Sequence, residues 1–173
     1  MKKTYYLLLF ALMLSAATSK AQTSWITKNL DEKISVKFPS EPEKTTKNGI
    51  DIYTLRAKDS IGYSANVIDY NVVVHLDSAA LAPVKDTQQF ADQMKMGIAS
   101  KKTNYTFGDI IIGKWNTYTT YNISATDNNN KNTLLMRMIL IGSKMYSLSC
   151  RVPPNMVTKN NDVFLDSFRL LKK

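Results

Sequence analysis

The sequence predicts an α+β fold, a mostly antiparallel sheet flanked by helices in a layered α/β/α sandwich, and three observations support this. Segments of period-two alternation recur along most of the chain, as at Ile34, Val36 and Phe38. Short turn signals separate them, which suits hairpins and hence antiparallel pairing. Only two segments switch to helical spacing, one internal and one near the carboxy end.

Residues 1–21 are set apart before any fold reasoning. Lys2 and Lys3 precede an apolar run from Tyr5 to Leu14, and Ser19-Lys20-Ala21 places small residues where a signal peptidase reads. A secretory signal cleaved between Ala21 and Gln22 is expected. The run is about half the ~20 apolar residues that span a bilayer, so no stable membrane insertion is expected after cleavage. No cysteine stands at the cleavage position to carry a lipid. Residues 22–173 then form a single domain, exported to the periplasm or secreted.

The 173 residues carry 23 Lys and Arg against 14 Asp and Glu. Losing Lys2, Lys3 and Lys20 leaves 20 against 14, a net +6. The lysines are scattered, with Lys101-Lys102 and Lys172-Lys173 as the adjacent pairs, whereas nucleic-acid binders gather basic residues on one face. Nucleic acid is therefore not an expected partner. Cys150 is the one cysteine, so no intramolecular disulfide forms, and its alternation with Tyr146, Leu148 and Val152 places it on the apolar face of a strand.

Along the chain, a strand around Trp25 and Ile26 is expected to pair with Ile34 to Phe38 across a turn at Asn29 to Glu32, with Pro39 as the stop. Asn48-Gly49 is the strongest turn signal, since both residues tolerate the positive φ of a type I′ hairpin, and it introduces Ile50 to Ala57. Gly62 opens an extended run through Leu76. Between Asp77 and Lys102 the period changes: Asp86 with Gln89 fits a capping box, and Phe90, Met94 and Ile98 form one helical stripe. Trp115 through Ala125 reads as one strand with Tyr118 on its more polar face. Asp127 to Asn130 is a turn, Leu134 to Ile141 is apolar on both faces except for Arg137, and Gly142-Ser143 turns into the strand carrying Cys150. A strand apolar on both faces requires cover above and below the sheet. A short final helix, capped by Asn160 or Asn161, presents Phe164, Leu165 and Phe168 on one side.

Three stretches resemble a known family. Ile34-Ser35-Val36-Lys37-Phe38-Pro39, the hairpin Ile139 to Cys150, and above all Phe164-Leu165-Asp166-Ser167-Phe168-Arg169-Leu170 are similar to the PsbP-like superfamily. The superfamily is named for an extrinsic subunit of photosystem II and includes exported bacterial envelope proteins of the DcrB type. The likeness spans Trp25 to Leu171. It implies an antiparallel sheet flanked by helices and no reaction, and it maps no functional residue onto this chain. The style of the signal peptide suggests a Bacteroidetes-type Gram-negative source.

Chemistry is limited by the supply of parts. His75 is the lone histidine, and Asp69 lies six residues away, about 20 Å along an extended strand, too far to orient it as a base. Asp77 is nearer, but His75 and Asp77 supply two ligands where a catalytic zinc site takes three. The Asp127 turn fails the EF-hand pattern, with Lys131 at the fifth position and Met138 at the twelfth. No catalytic residue, metal or cofactor is expected. Arg137, the polar intruder in an apolar strand, must meet a carboxylate such as Asp109 or Asp69, or an anionic ligand. With Tyr118 and His75 it is a candidate ligand or partner contact.

The expected function is an exported non-catalytic binding or assembly module of the bacterial envelope, acting through another envelope protein. One alternative is a carrier with an apolar cavity near Met136, Arg137 and Met138. Another is a hydrolase built on carboxylates. An exposed apolar patch, a closed apolar cavity, and a pocket holding perturbed titratable groups distinguish the three.

Overall fold

The computed structural model describes residues 25–172. The expected signal segment and its Ala21–Gln22 cleavage point lie outside them. Ile26–Asn29 (β1) and Ile34–Phe38 (β2) pair antiparallel across a turn in which the Asp31 carboxylate accepts the Lys33 and Ile34 N–H groups. This hairpin stands apart from the main sheet. Arg169–Leu170, the last strand (β11), pairs with the free side of β2, giving a separate three-stranded sheet in the order β1-β2-β11.

The main sheet is antiparallel throughout. Its strands are Glu43–Lys47 (β3), Ile50–Arg56 (β4), Gly62–Asp69 (β5), Tyr105–Phe107 (β6), Ile111–Trp115 (β7), Tyr118–Asp127 (β8), Thr133–Ile141 (β9) and Lys144–Val152 (β10). They lie in the order β3-β4-β5-β10-β9-β8-β6, with β7 also on β8. Local chemistry sets the hairpins. Asn48 and Gly49 have φ of 53° and 74°, the left-handed pair a type I′ turn requires, and Gly142 at 62° turns β9 into β10.

Four local expectations are corrected. The run from Gly62 ends at Asp69, not Leu76. The Asp69 side chain accepts the Asn71 N–H and caps Tyr70–Val74 (α1); Asp77 does the same for Ala80 at Ser78–Leu81 (α2). Two caps, each worth roughly 0.5–2 kcal/mol, outweigh the weak strand preference of three valines that have no neighbouring strand to pack against. Trp115 to Ala125 is a hairpin rather than one strand: Asn116 takes φ 53° and Trp115 pairs with Tyr118. The main helix, Gln88–Ala99 (α3), is capped by Thr87, whose hydroxyl accepts the Phe90 N–H; Asp86 instead accepts hydrogen bonds from Thr119 and Lys114 and ties the helix start to β7 and β8. In the final helix, Asn160–Leu165 (α4), neither asparagine caps the start. The Thr158 hydroxyl accepts the Asn160 N–H.

The central strands of the main sheet are covered on both faces, as their apolar residues demand. On one face Phe90, Met94 and Ile98 of α3 and Leu81 of α2 pack on Tyr121, Ile123, Met138, Leu140 and Met145. The fully buried Ala91 lets the helix approach closely. The opposite layer holds α4, as expected, together with the small sheet. Ile34, Val36 and Phe38 of β2 join Phe164, Leu165 and Phe168 over Tyr63, Tyr146, Leu148 and Cys150. Phe164 is the hub, with ring centroids 5.0 Å from Phe38 and 5.1 Å from Tyr63.

Asp31 fastens this layer to the sheet. Its carboxylate accepts the Tyr146 hydroxyl at 2.6 Å and the Lys144 ammonium at 3.0 Å. Burial acts to raise its pKa. Tyr146, the Lys33 N–H, Lys144 and the Ile34 N–H together outweigh that and hold it below the ordinary carboxylate range.

Two outcomes follow. Phe168 is 1% exposed, and Phe→Ala in a core costs about 3–5 kcal/mol, so Phe168→Ala should lower the melting midpoint by roughly 6–20 °C in calorimetry. A carboxyl depressed by folding stabilises above its unfolded pKa of about 3.9 and loses that contribution as pH falls through the lower folded value. Asp31→Asn should therefore destabilise by roughly 1.5–3 kcal/mol at pH 7, the worth of hydrogen bonds to a charged group. The gap between variant and parent should narrow below about pH 4 in urea titrations.

Candidate functional site

The residues singled out from sequence do not converge. Arg137 lies on the face of β9 that looks toward α4. Its Nε donates to Asn122 Oδ1 at 2.8 Å, and its Nη1 donates to the Leu165 carbonyl and pairs with the Asp166 carboxylate. The expected partners Asp109 and Asp69 are elsewhere: Asp109 pairs with Lys95, and Asp69 accepts the Ser143 hydroxyl. Asp166 sits beside β9 because the chain doubles back after α4, 29 residues later. Tyr118 is on the same face, stacked on Trp115 at 6.2 Å, and Trp115 in turn meets Phe168 at 6.1 Å. Arg137 and Tyr118 thus both hold the carboxy-terminal segment in place.

His75 is on no strand. It is the left-handed residue that ends α1, at φ 57°, and it stands in an exposed apolar knob. Val72, Val73 and Val74 are 73%, 52% and 52% exposed, and Leu76 is 39% exposed. The Leu76 N–H closes the knob by donating to the Tyr70 carbonyl, while the Tyr70 side chain packs inward on the helix-covered core. A run of β-branched residues turned outward is legible in the sequence only if the Asp69 and Asp77 caps are recognised as such.

A second surface lies at the other end of β5. The apolar cluster beneath α2 and α3 draws on β8, β9 and β10 but on none of β3, β4 and β5, so that half of the face is uncovered. It forms an open trough of about 950 Å³. The strand register fixes its floor. Arg56 pairs with Gly62, and Gly62 with Arg151; in the adjacent row Thr54 pairs with Ser64, and Ser64 with Ser149. Lys102, Asn130 and Asn132 close the side nearest β8 and β9. The sequence shows Arg56, Gly62 and Arg151 as unrelated positions, and only the pairing of β4, β5 and β10 places them in one row.

Carboxylates with a shifted pKa are all lowered, the reverse of what a general acid needs. Lys44 lowers Asp51, Lys114 lowers Asp86, and the Asn129 N–H lowers Asp127. Among the described residues no three His, Cys, Asp or Glu side chains gather as a metal site. Also among them, no helix is long and apolar enough to cross a membrane.

An eight-stranded antiparallel sheet, with helices on one face and a helix plus a small sheet on the other, defines a PsbP-like α+β fold. No protein-family model matches the chain, and no curated protein matches it. It is similar to the solution structure of cyanobacterial PsbP (CyanoP) from Synechocystis sp. PCC 6803, with a TM-score of 0.60 over 90% of this chain and 97% of that one. The two share 10% sequence identity, so the likeness is one of fold.

Cys150 is fully buried, and burial, with smaller contributions from Asp162 and Asp59, pushes its thiol far above the ordinary value. A protonated, inaccessible thiol is inert. Ellman's reagent at pH 8 should leave the native protein unlabelled and label one thiol per chain in denaturant.

Proposed function

We propose that this chain is an exported, non-catalytic binding or assembly module of a bacterial envelope, related to DcrB-type proteins of a Bacteroidetes-type source, that engages another envelope protein. The observation that carries this reading is the apolar knob at residues 72–76. A monomeric surface rarely keeps a contiguous run of large apolar side chains in water, and such patches mark docking sites. Here three valines project from a five-residue helix that contributes no buried residue to the core. Its caps turn the valines outward, while Tyr70 at the start of the same helix packs on the core. His75, set at the tip by its left-handed backbone, is part of that contact.

Export rests on the amino-terminal sequence pattern at residues 1–21, and a protein partner in the same compartment follows from it. The competing readings find less support. The trough on the main sheet is open and mixes polar groups with Leu134 and Pro153, unlike the closed apolar cavity of a carrier, and Met136 and Arg137 point to opposite faces of β9. A carboxylate-based hydrolase needs one acid raised and one lowered in the same pocket. Glu43 is the single carboxylate lining the trough.

Val73→Asp tests the reading. The side chain is half exposed, so stability should change by no more than about 0.5 kcal/mol. A photo-crosslinking residue placed at Val73 in the native host should capture one envelope protein in reproducible yield, and Val73→Asp should abolish that protein's co-purification. An unchanged set of co-purifying proteins with the folded Val73→Asp variant would overturn the proposal.

A further inference from the structure

We propose that the trough over β4, β5 and β10 is a binding site for an anionic saccharide, its phosphate, sulfate or carboxylate group held between Arg56 and Arg151 above Gly62. This reading is independent of the knob.

The placement of the two arginines in one strand row is the first observation. Arg56, Gly62 and Arg151 occupy one row across three adjacent strands. With strands about 4.8 Å apart, the two arginine Cα atoms are about 10 Å apart on the same face, within the joint reach of two long side chains. The residue between them has no side chain. A Cβ added to Gly62 would meet the Arg151 Cβ at 3.7 Å, ordinary contact, so the glycine is not forced by crowding, and it lines the trough. Two long guanidinium side chains able to converge over a bare backbone suit an oxyanion, which arginine binds in bidentate fashion.

Charge balance is the second observation. The chain downstream of residue 21 has four arginines. Arg137 is held by Asp166 and Asn122, and Arg169 donates to the Asp166 and Phe168 carbonyls. The ion pairs among the described residues use Lys28, Lys44, Lys95, Lys114, Arg137 and Lys144. Arg56 and Arg151 are in none of them. With Lys102 they give the trough three cations against Glu43 alone.

The rest of the lining selects the body of the ligand. Behind the arginine row run the hydroxyls of Thr54, Ser64 and Ser149, and Asn130 and Asn132 add amides at the side. The hydroxyl and amide groups match a ligand rich in hydroxyls, and Leu134 and Pro153 beside them offer apolar surface to the ring carbons of a sugar.

The experiment is a two-dimensional NMR titration of the folded protein with glucose 6-phosphate and glucuronate, using glucose and inorganic phosphate as controls. Both anionic sugars should shift the Gly62, Ser64 and Ser149 amides saturably, and glucose should not. Arg56→Gln with Arg151→Gln should weaken binding at least about tenfold, as loss of charged hydrogen bonds implies. Arg56→Lys with Arg151→Lys should recover only part of it. Capture through Val73 should be unaffected in all of these variants. Absence of saturable shifts with either sugar, or shifts indifferent to the double Gln variant, would overturn the site. Inorganic phosphate binding as tightly as glucose 6-phosphate would overturn its assignment to a saccharide.

Discussion

Strands β9 and β10 carry apolar side chains on both faces, and the rest of the molecule is arranged around that constraint. Tyr146, Leu148 and Cys150 look one way and Met138, Leu140 and Met145 the other, all nearly or fully buried. A sheet with such a centre is stable only if both faces are covered. Helices α2 and α3 cover one face over β8 to β10. The other face is closed by the two ends of the described chain, β1 and β2 from one and α4 and β11 from the other. The helical layer is too narrow for eight strands, so β3, β4 and β5 remain open on that side. Those strands are mixed there: Thr54, Ser64 and Asn66 share the open face with Ile52 and Ile68, and they alternate with the buried Tyr53, Tyr63 and Ala65 of the opposite face.

The layer formed by the chain ends is held by more than apolar contact. Three carboxylates from loops reach across to it or from it. Asp31 takes Tyr146 and Lys144 on the sheet, Asp59 takes Tyr63 and Asn160, and Asp166 takes Arg137. Ser167 adds a relay, accepting the Lys37 N–H and donating to the Phe164 carbonyl. Each bridge joins residues distant in sequence, so this face closes only when the two chain ends are both in place. Such non-local closure is costly in loop entropy and tends to slow folding.

What the sequence made legible was local. The Asn48-Gly49 and Gly142-Ser143 turns, the Phe90, Met94 and Ile98 stripe, and the apolar side of Phe164, Leu165 and Phe168 each depend on neighbours within a few residues, and each is found where the pattern placed it. The misreadings have two physical sources. At Val72 to Val74 and at Trp115 to Ala125, a weak local signal was overridden: two Asp caps turned the first into a helix, and Asn116 folded the second without breaking its alternation. Elsewhere the missing information was pairing itself. Nothing near Arg169 and Leu170 announces a strand, because only β2 makes them one. Asp166 as the partner of Arg137, and the row that joins Arg56 to Arg151, were hidden for the same reason.

The two exposed surfaces occupy opposite ends of one strand. Gly62 opens β5 beneath the trough and Asp69 closes it at the base of the knob, about 23 Å away at ~3.3 Å per residue. They differ in chemistry as well as place. The knob is apolar and projects from the outer side of α1, whose Tyr70 packs on the helix-covered core. The trough is cationic and set in the pleat of paired strands, where the register fixes the spacing of the Arg56 and Arg151 backbones while their exposed side chains keep rotamer freedom. Because β5 lies between β4 and β10, with buried Tyr63 and Ala65 under its central half, it is a stiff spacer. With β10 paired along its whole length, β5 holds the two surfaces at a fixed separation, so the proposed protein contact at the knob and the proposed anion contact at the trough are separate and independently testable.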